Sequence, residues 1–137
     1  MKVNPLIPVF GDMSYRGDCP TEDTEQINFV SWLKHNHPDY RTLFIHPKNE
    51  GKRQFNQVNY ESRTGGIPTG ASDCIIPGCP TFVVELKRLD HTKSKWQKGQ
   101  QEYLINAKEK GAFVGVAFGC EGLKEAFKLW LTAQQCQ

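Results

Sequence analysis

The stretch from Ser72 to Arg88, SDCIIPGCPTFVVELKR, constrains the fold more than any other part of the chain. Two short apolar runs, SDCIIP and TFVVELKR, are joined by a Pro-Gly-Cys-Pro turn, the pattern of paired β-strands. Strand side chains alternate between faces with a period of two. Glu85 and Lys87 therefore project to one face, and Val84 and Leu86 to the other. Asp73 opens the neighbouring strand, from which its carboxylate reaches the same point in space. Two carboxylates and one ammonium thus converge at the edge of what is otherwise a sheet core.

The rest of the chain supplies one domain around this element. Its 137 residues are enough to bury a core without disulfides or metal staples. Residues 1–20, rich in Pro, Gly and Asp, read as an irregular N-terminal arm, and residues 21–137 as a single domain. Thr21 is a good N-cap for a helix with Glu22 and Asp23 in its first turn. Ile27, Phe29, Val30, Trp32 and Leu33 give that helix an apolar stripe, and it ends near His37-Pro38. RTLFIHP (41–47) reads as a strand and roughly 53–63 as a helix, followed by the Gly-rich loop TGGIPTGAS. A helix is predicted over about 95–110, ending at Gly111, then the uncharged strand AFVGVAFG (112–119) and a last amphipathic helix, EGLKEAFKLWLTAQQ. The expected order, α-β-(α)-β-β-α-β-α, makes a mixed sheet with helices on both faces, an α/β fold.

Composition excludes several classes. No apolar run approaches the length of a membrane span, and the N-terminus lacks the pattern of a signal peptide, so a cytoplasmic location is expected. The five cysteines form no CxxC pair and no zinc-ligand spacing, and read as free thiols. Charge is uneven. Residues 48–98 carry nine Lys or Arg against five acids, while residues 1–47 carry four against six and residues 99–137 four against four. A basic middle of this kind suits a polyanion surface. Lys48, Lys52, Arg53, Arg63, Arg88, Lys93, Lys95 and Lys98 are the expected phosphate contacts, which position DNA without reading its sequence.

Metal-assisted phosphodiester hydrolysis needs this set of groups. Mg²⁺ prefers octahedral oxygen ligands, usually one or two carboxylates with waters and substrate phosphate. Asp73 and Glu85 supply carboxylates, and the backbone carbonyl of Leu86 can add a ligand. Lys87 can hold the attacking water or steady negative charge on the phosphate.

Asp73 followed twelve residues on by Glu85-Leu86-Lys87 resembles the D…ExK signature of the PD-(D/E)xK nuclease superfamily. FIHPKNEGKR, GGIPTGASD, VVELKR and a Gln opening the helix before YLINAKEKGAFVGVA are similar to its VRR-NUC branch over residues 21–119. Ser72 stands where that pattern usually has Pro. The resemblance implies an α-β-β-β-α-β restriction-endonuclease-like core, dependence on Mg²⁺ with Mn²⁺ as a substitute, and DNA cleavage in a bacterial or phage-infected cell. It also implies a carboxylate near the metal from the first helix, for which Glu25 fits and Glu22 is the alternative. Gln100 matches the branch's helix Gln, with Gln97 and Gln101 as rivals. His46, as a ligand or base or more simply a structural histidine, and Trp96, as a base-stacking or a packed residue, are weaker candidates.

The expectation is a metal-dependent DNA endonuclease, selective for branched or junction DNA rather than sequence. A homodimer would give it two sites, with Phe10, Tyr15, Phe127, Trp130 and Leu131 as interface material. The alternatives are a non-catalytic nucleic-acid-binding domain and a protein-interaction domain on the same fold.

Overall fold

The computed structural model describes residues 1–47 and 63–135. Lys48, Lys52, Arg53 and nearly all of the helix expected over 53–63 lie outside these residues. The described elements are β1 (Val9–Phe10), α1 (Glu22–Asn36), α2 (Pro38–Arg41), β2 (Cys74–Ile76), β3 (Phe82–Lys87), a 3₁₀ turn (His91–Lys93), α3 (Gln100–Glu109), β4 (Phe113–Phe118) and α4 (Gly119–Thr132). They form an α/β fold around a four-stranded mixed sheet in the order β1-β4-β3-β2.

The alternating pattern of the central strands decides which layer lies on which face. Phe82, Val84 and Leu86 of β3 join Phe29 and Leu33 of α1 and Leu123, Ala126, Phe127 and Trp130 of α4 in one apolar cluster. Val83 turns the other way, to Leu104 of α3 and to Val114, Val116 and Phe118 of β4. Helices α1 and α4 therefore cover one face, and α3 covers the other. β2 runs antiparallel to β3, with Cys74 opposite Val84 and Ile76 opposite Phe82. β3 and β4 are parallel, joined through α3, with Glu85 opposite Val116.

Four local expectations change. The strand expected over 41–47 shrinks to a single antiparallel bridge between Ile45 and Ile75, because α2 ends only at Arg41 and the amides of Thr42 and Leu43 are spent on the turn that closes it. The arm is not irregular throughout: Val9 and Phe10 pair in parallel with Val116 and Ala117, and Ile7 and Phe10 are buried. Ile27 of α1 is exposed, so the buried stripe of that helix is narrower than its composition implies. The helix after β3 begins at Gln100, not near residue 95; Asp90 caps a 3₁₀ turn, and Gly99 takes a left-handed conformation just before α3.

The proposed interface residues are largely spent on this core. Phe10, Phe127 and Trp130 are buried within their own chain, and Leu131 packs against the same cluster. Among the described residues no helix is long and apolar enough to cross a membrane.

Candidate active site

Continuing the β2–β3 register one residue past Cys74–Val84 sets Asp73 opposite Glu85, on the face shared with Val83. Glu85 and Lys87 follow Val83 at alternate positions, so the two strands bring the three charged groups together. All six residues of β3 are buried, the last three included: Glu85 is 1% and Lys87 3% exposed. The charged groups form the floor of a cleft of about 960 Å³.

Each group has a defined partner. Asp73 Oδ2 accepts from the backbone N–H of Leu86 at 3.1 Å. That amide therefore faces the β2 edge, and in an extended strand the carbonyl of the same residue faces the same edge. Glu85 Oε1 accepts from Gln100 Nε2 at 3.0 Å. Lys87 Nζ donates to Gln100 Oε1 and to the carbonyl of Lys95, both at 2.9 Å, and lies 3.8 Å from Glu85 Oε1. Gln100 is thus the bridge between acid and base, and the amide of Gln97 donates to the same Gln100 Oε1 at 2.8 Å, fixing its orientation.

Glu85 Oε2 is buried and has no hydrogen-bond partner. Burial pushes the Glu85 carboxyl well above the usual carboxylate range, and the negative charge of Asp73 beside it adds to the effect. The ammonium of Lys87 opposes this, and Glu22 reinforces it. Two carboxylates that face each other without a donor between them require either a proton or a cation. The donor set, Asp73, Glu85 and the Leu86 carbonyl, is all oxygen and fits a hard divalent ion. Among the described residues, no group of three or more His, Cys, Asp or Glu side chains converges as a metal site, so water or phosphate oxygens would complete the shell.

The first-helix carboxylate beside this cleft is Glu22, not Glu25. Glu22 lines the cleft, and the Ser94 hydroxyl reaches its Oε1 at 3.4 Å. Glu25 is buried elsewhere and accepts from the amide of Cys120 in the first turn of α4. The preceding residue, Phe118, offers α4 no side-chain cap, so Glu25 satisfies an orphan donor at the positive end of that helix. Burial raises its carboxyl above the ordinary value.

The remaining candidates separate by contact. Lys93, Lys95 and Lys98 are exposed along the cleft wall; Arg63 is exposed but is not among the lining residues. Arg88 lines the cleft, yet its guanidinium donates to the carbonyls of Cys19 and Pro20, which ties the arm to the end of β3. Gln97 lines the cleft, whereas Gln101 turns away and accepts from the amide of Asn4. His46 Nδ1 lies 2.7 Å from the backbone carbonyl of Asp73, a bond that braces the strand carrying the acid. Trp96 packs with the cluster under α3 rather than standing free.

The loop before Asp73 has a structural use that its glycines do not announce. Gly70 has a positive φ, and a Cβ there would lie 2.2 Å from the carbonyl oxygen of Gly99 and 2.7 Å from the nitrogen of Gln100. The missing side chain lets the loop dock on the start of α3, beside Gln100, so this close backbone approach is made within the protein.

The fold is similar to that of a solved structure described as a VRR_NUC domain protein. The TM-score is 0.65 and the sequence identity 18%, over 84% of this chain and 91% of that one. At that identity the likeness is one of fold. No protein-family model matches the chain, and no curated protein matches it.

Proposed function

We propose that this chain is a metal-dependent DNA endonuclease that hydrolyses phosphodiester bonds at the cleft floored by Asp73, Glu85, Lys87 and Gln100. The observation that carries the reading is the donorless, buried Oε2 of Glu85 beside Asp73. A domain that needed only structure from this strand would have little reason to bury Glu85 with one oxygen unpartnered beside a second carboxylate, because a buried polar group without a partner is costly. The VRR_NUC fold neighbour supports a nuclease-like domain.

Asp73, Glu85 and the Leu86 carbonyl would hold Mg²⁺, or Mn²⁺ in its place. Such an ion supplies charge neutralisation at the scissile phosphate and acidifies the attacking water. The protein's own groups do the rest. Lys87 has three N–H donors; two are directed at Lys95 and Gln100, which leaves one to orient water or stabilise negative charge on the phosphate. Gln100 holds Glu85 and Lys87 at a fixed separation through its two ends. The backbone N–H of Leu86 keeps the Asp73 carboxylate aimed along the sheet edge. Lys93, Lys95 and Lys98 offer the DNA backbone charge without base-edge geometry, so selectivity for DNA structure over sequence is the expected mode.

A cleavage panel of linear, flapped, bubbled and four-way-junction DNA, in Mg²⁺, Mn²⁺ and chelator, tests the reading. Cutting that requires the metal and favours a branched substrate supports it. Binding of every substrate with cutting of none would leave a non-catalytic nucleic-acid-binding domain. A two-fold dimer remains a separate proposal, now without Phe10, Phe127 and Trp130 as interface material; light scattering in the presence of junction DNA tests it.

A further inference from the structure

Lys87 is held by more than its strand. Its ammonium lies 5.4 Å from the ring centroid of Trp96, within the range of a cation–π contact. The adjacent residue, Lys95, supplies the carbonyl that accepts from the same ammonium. The segment carrying both residues is not helical; it runs between the 3₁₀ turn and α3, so its position must be fixed from outside. The N-terminal arm fixes it. Trp96 Nε1 donates to the carbonyl of Lys2 at 2.8 Å. Farther along the arm, the amide of Gly17 donates at 3.0 Å to Oδ2 of Asp90, the residue that caps the 3₁₀ turn leading into that segment. Arg88 closes the third tie through Cys19 and Pro20.

From these contacts we infer that Trp96 is a positioning residue for Lys87, and that the arm sets the active ammonium through it. The inference rests on Lys87 serving the chemistry proposed above. A ring that covers one side of a buried ammonium restricts where its protons point. An indole N–H anchored to the arm stops that ring from swinging away. Trp96 is thereby removed from the base-stacking role its sequence position suggests, and it acts on substrate only through Lys87.

The test uses the full chain with Trp96→Leu, which removes both ring and anchor, and Trp96→Phe, which keeps an aromatic face but loses the N–H. The first readout is hydrogen exchange of the Lys87 ammonium by ¹H–¹⁵N correlation without metal, the signal being assigned by its absence in Lys87→Ala. The second is single-turnover cleavage alongside DNA affinity. Exchange should quicken by about tenfold in Trp96→Leu, the scale of a desolvated cation–π contact. Its single-turnover rate should fall by about tenfold or more while DNA affinity changes less than about twofold, as misplacement of a reacting group predicts. Trp96→Phe should fall between this variant and the parent in both. A purely structural tryptophan would lower the melting temperature and leave ammonium exchange in the folded protein unchanged; that result overturns the inference. If Trp96→Leu does not fold, Trp96→Phe decides, and parent-like ammonium exchange in it counts against the inference. If the parent cuts no DNA, the nuclease reading has failed, and the exchange experiment still decides whether Trp96 positions Lys87.

Discussion

The two halves of β3 are equally buried and oppositely built. Phe82, Val83 and Val84 are enclosed by apolar side chains from both layers, and Phe82 alone meets Phe113, Phe127 and Trp130 at ring-centroid separations of 5.9, 6.3 and 5.4 Å. Three residues on, Glu85 and Lys87 are as inaccessible as that core, but their neighbours are each other, Gln100, the Lys95 carbonyl and Asp73. The first half contributes apolar burial, which stabilises the fold. The second half retains an ionisable pair whose desolvation works against folding. One strand thus carries apolar packing at one end and the proposed chemistry at the other, and substitutions should divide accordingly.

The largest effect should come from the charged half. Asp73→Ala, Glu85→Ala and Lys87→Ala should each cut DNA cleavage by about a hundredfold to a thousandfold, the range for loss of one preorganised electrostatic group, while circular dichroism stays that of the parent. In the apolar half, Phe82→Ala should cost about 3–5 kcal/mol of unfolding free energy by cavity formation, measured in denaturant, with activity per folded molecule retained. A Phe82→Ala protein as stable as the parent, or a Glu85→Ala protein that fails to fold, would erase the division.

A smaller effect sharpens the comparison through pH. The folded-state carboxyl of Glu85 lies above its unfolded value, so its contribution favours the folded state most below the ordinary carboxylate pKa of about 4.3. That contribution is lost as pH rises toward the raised folded value. Metal-free parent should therefore lose stability over that interval relative to Glu85→Gln, which has no charge to desolvate, and added Mg²⁺ should restore it in the parent alone. Thermal melts across pH, with chelator and with Mg²⁺, measure this. The smallest effect lies on the rim. Lys93→Ala and Lys98→Ala should each lower the log–log salt slope of DNA binding by about 0.9 where a phosphate contact on duplex DNA is lost, without changing the fold.

What the sequence made legible follows the range of the interactions involved. The convergence of Asp73, Glu85 and Lys87 needs only a two-residue period and one turn, both local. The choice between Glu22 and Glu25 is not local: it depends on which side of α1 meets the start of α4, where the Cys120 amide claims Glu25. β1 was hidden because two residues beside prolines have no period to detect, and its pairing partner lies more than a hundred residues away. The sequence leaves Trp96 open between stacking on a base and packing, because nothing in its surroundings in the chain points to Lys2, the residue that anchors it. Gln100 was reached by resemblance to the VRR-NUC pattern rather than from its own spacing; its bridging geometry is a tertiary fact.

The central claim is that Glu85, whose Oε2 has no donor, and Asp73, which faces it from the residue before β2, form a cation site. Calorimetric titration of the parent and of Glu85→Gln with Mn²⁺ at neutral pH tests it most directly. Saturable binding in the parent, released by chelator and lost in Glu85→Gln at unchanged fold, is the predicted result. Equal binding by both proteins, or none by the parent even with DNA present, would contradict it.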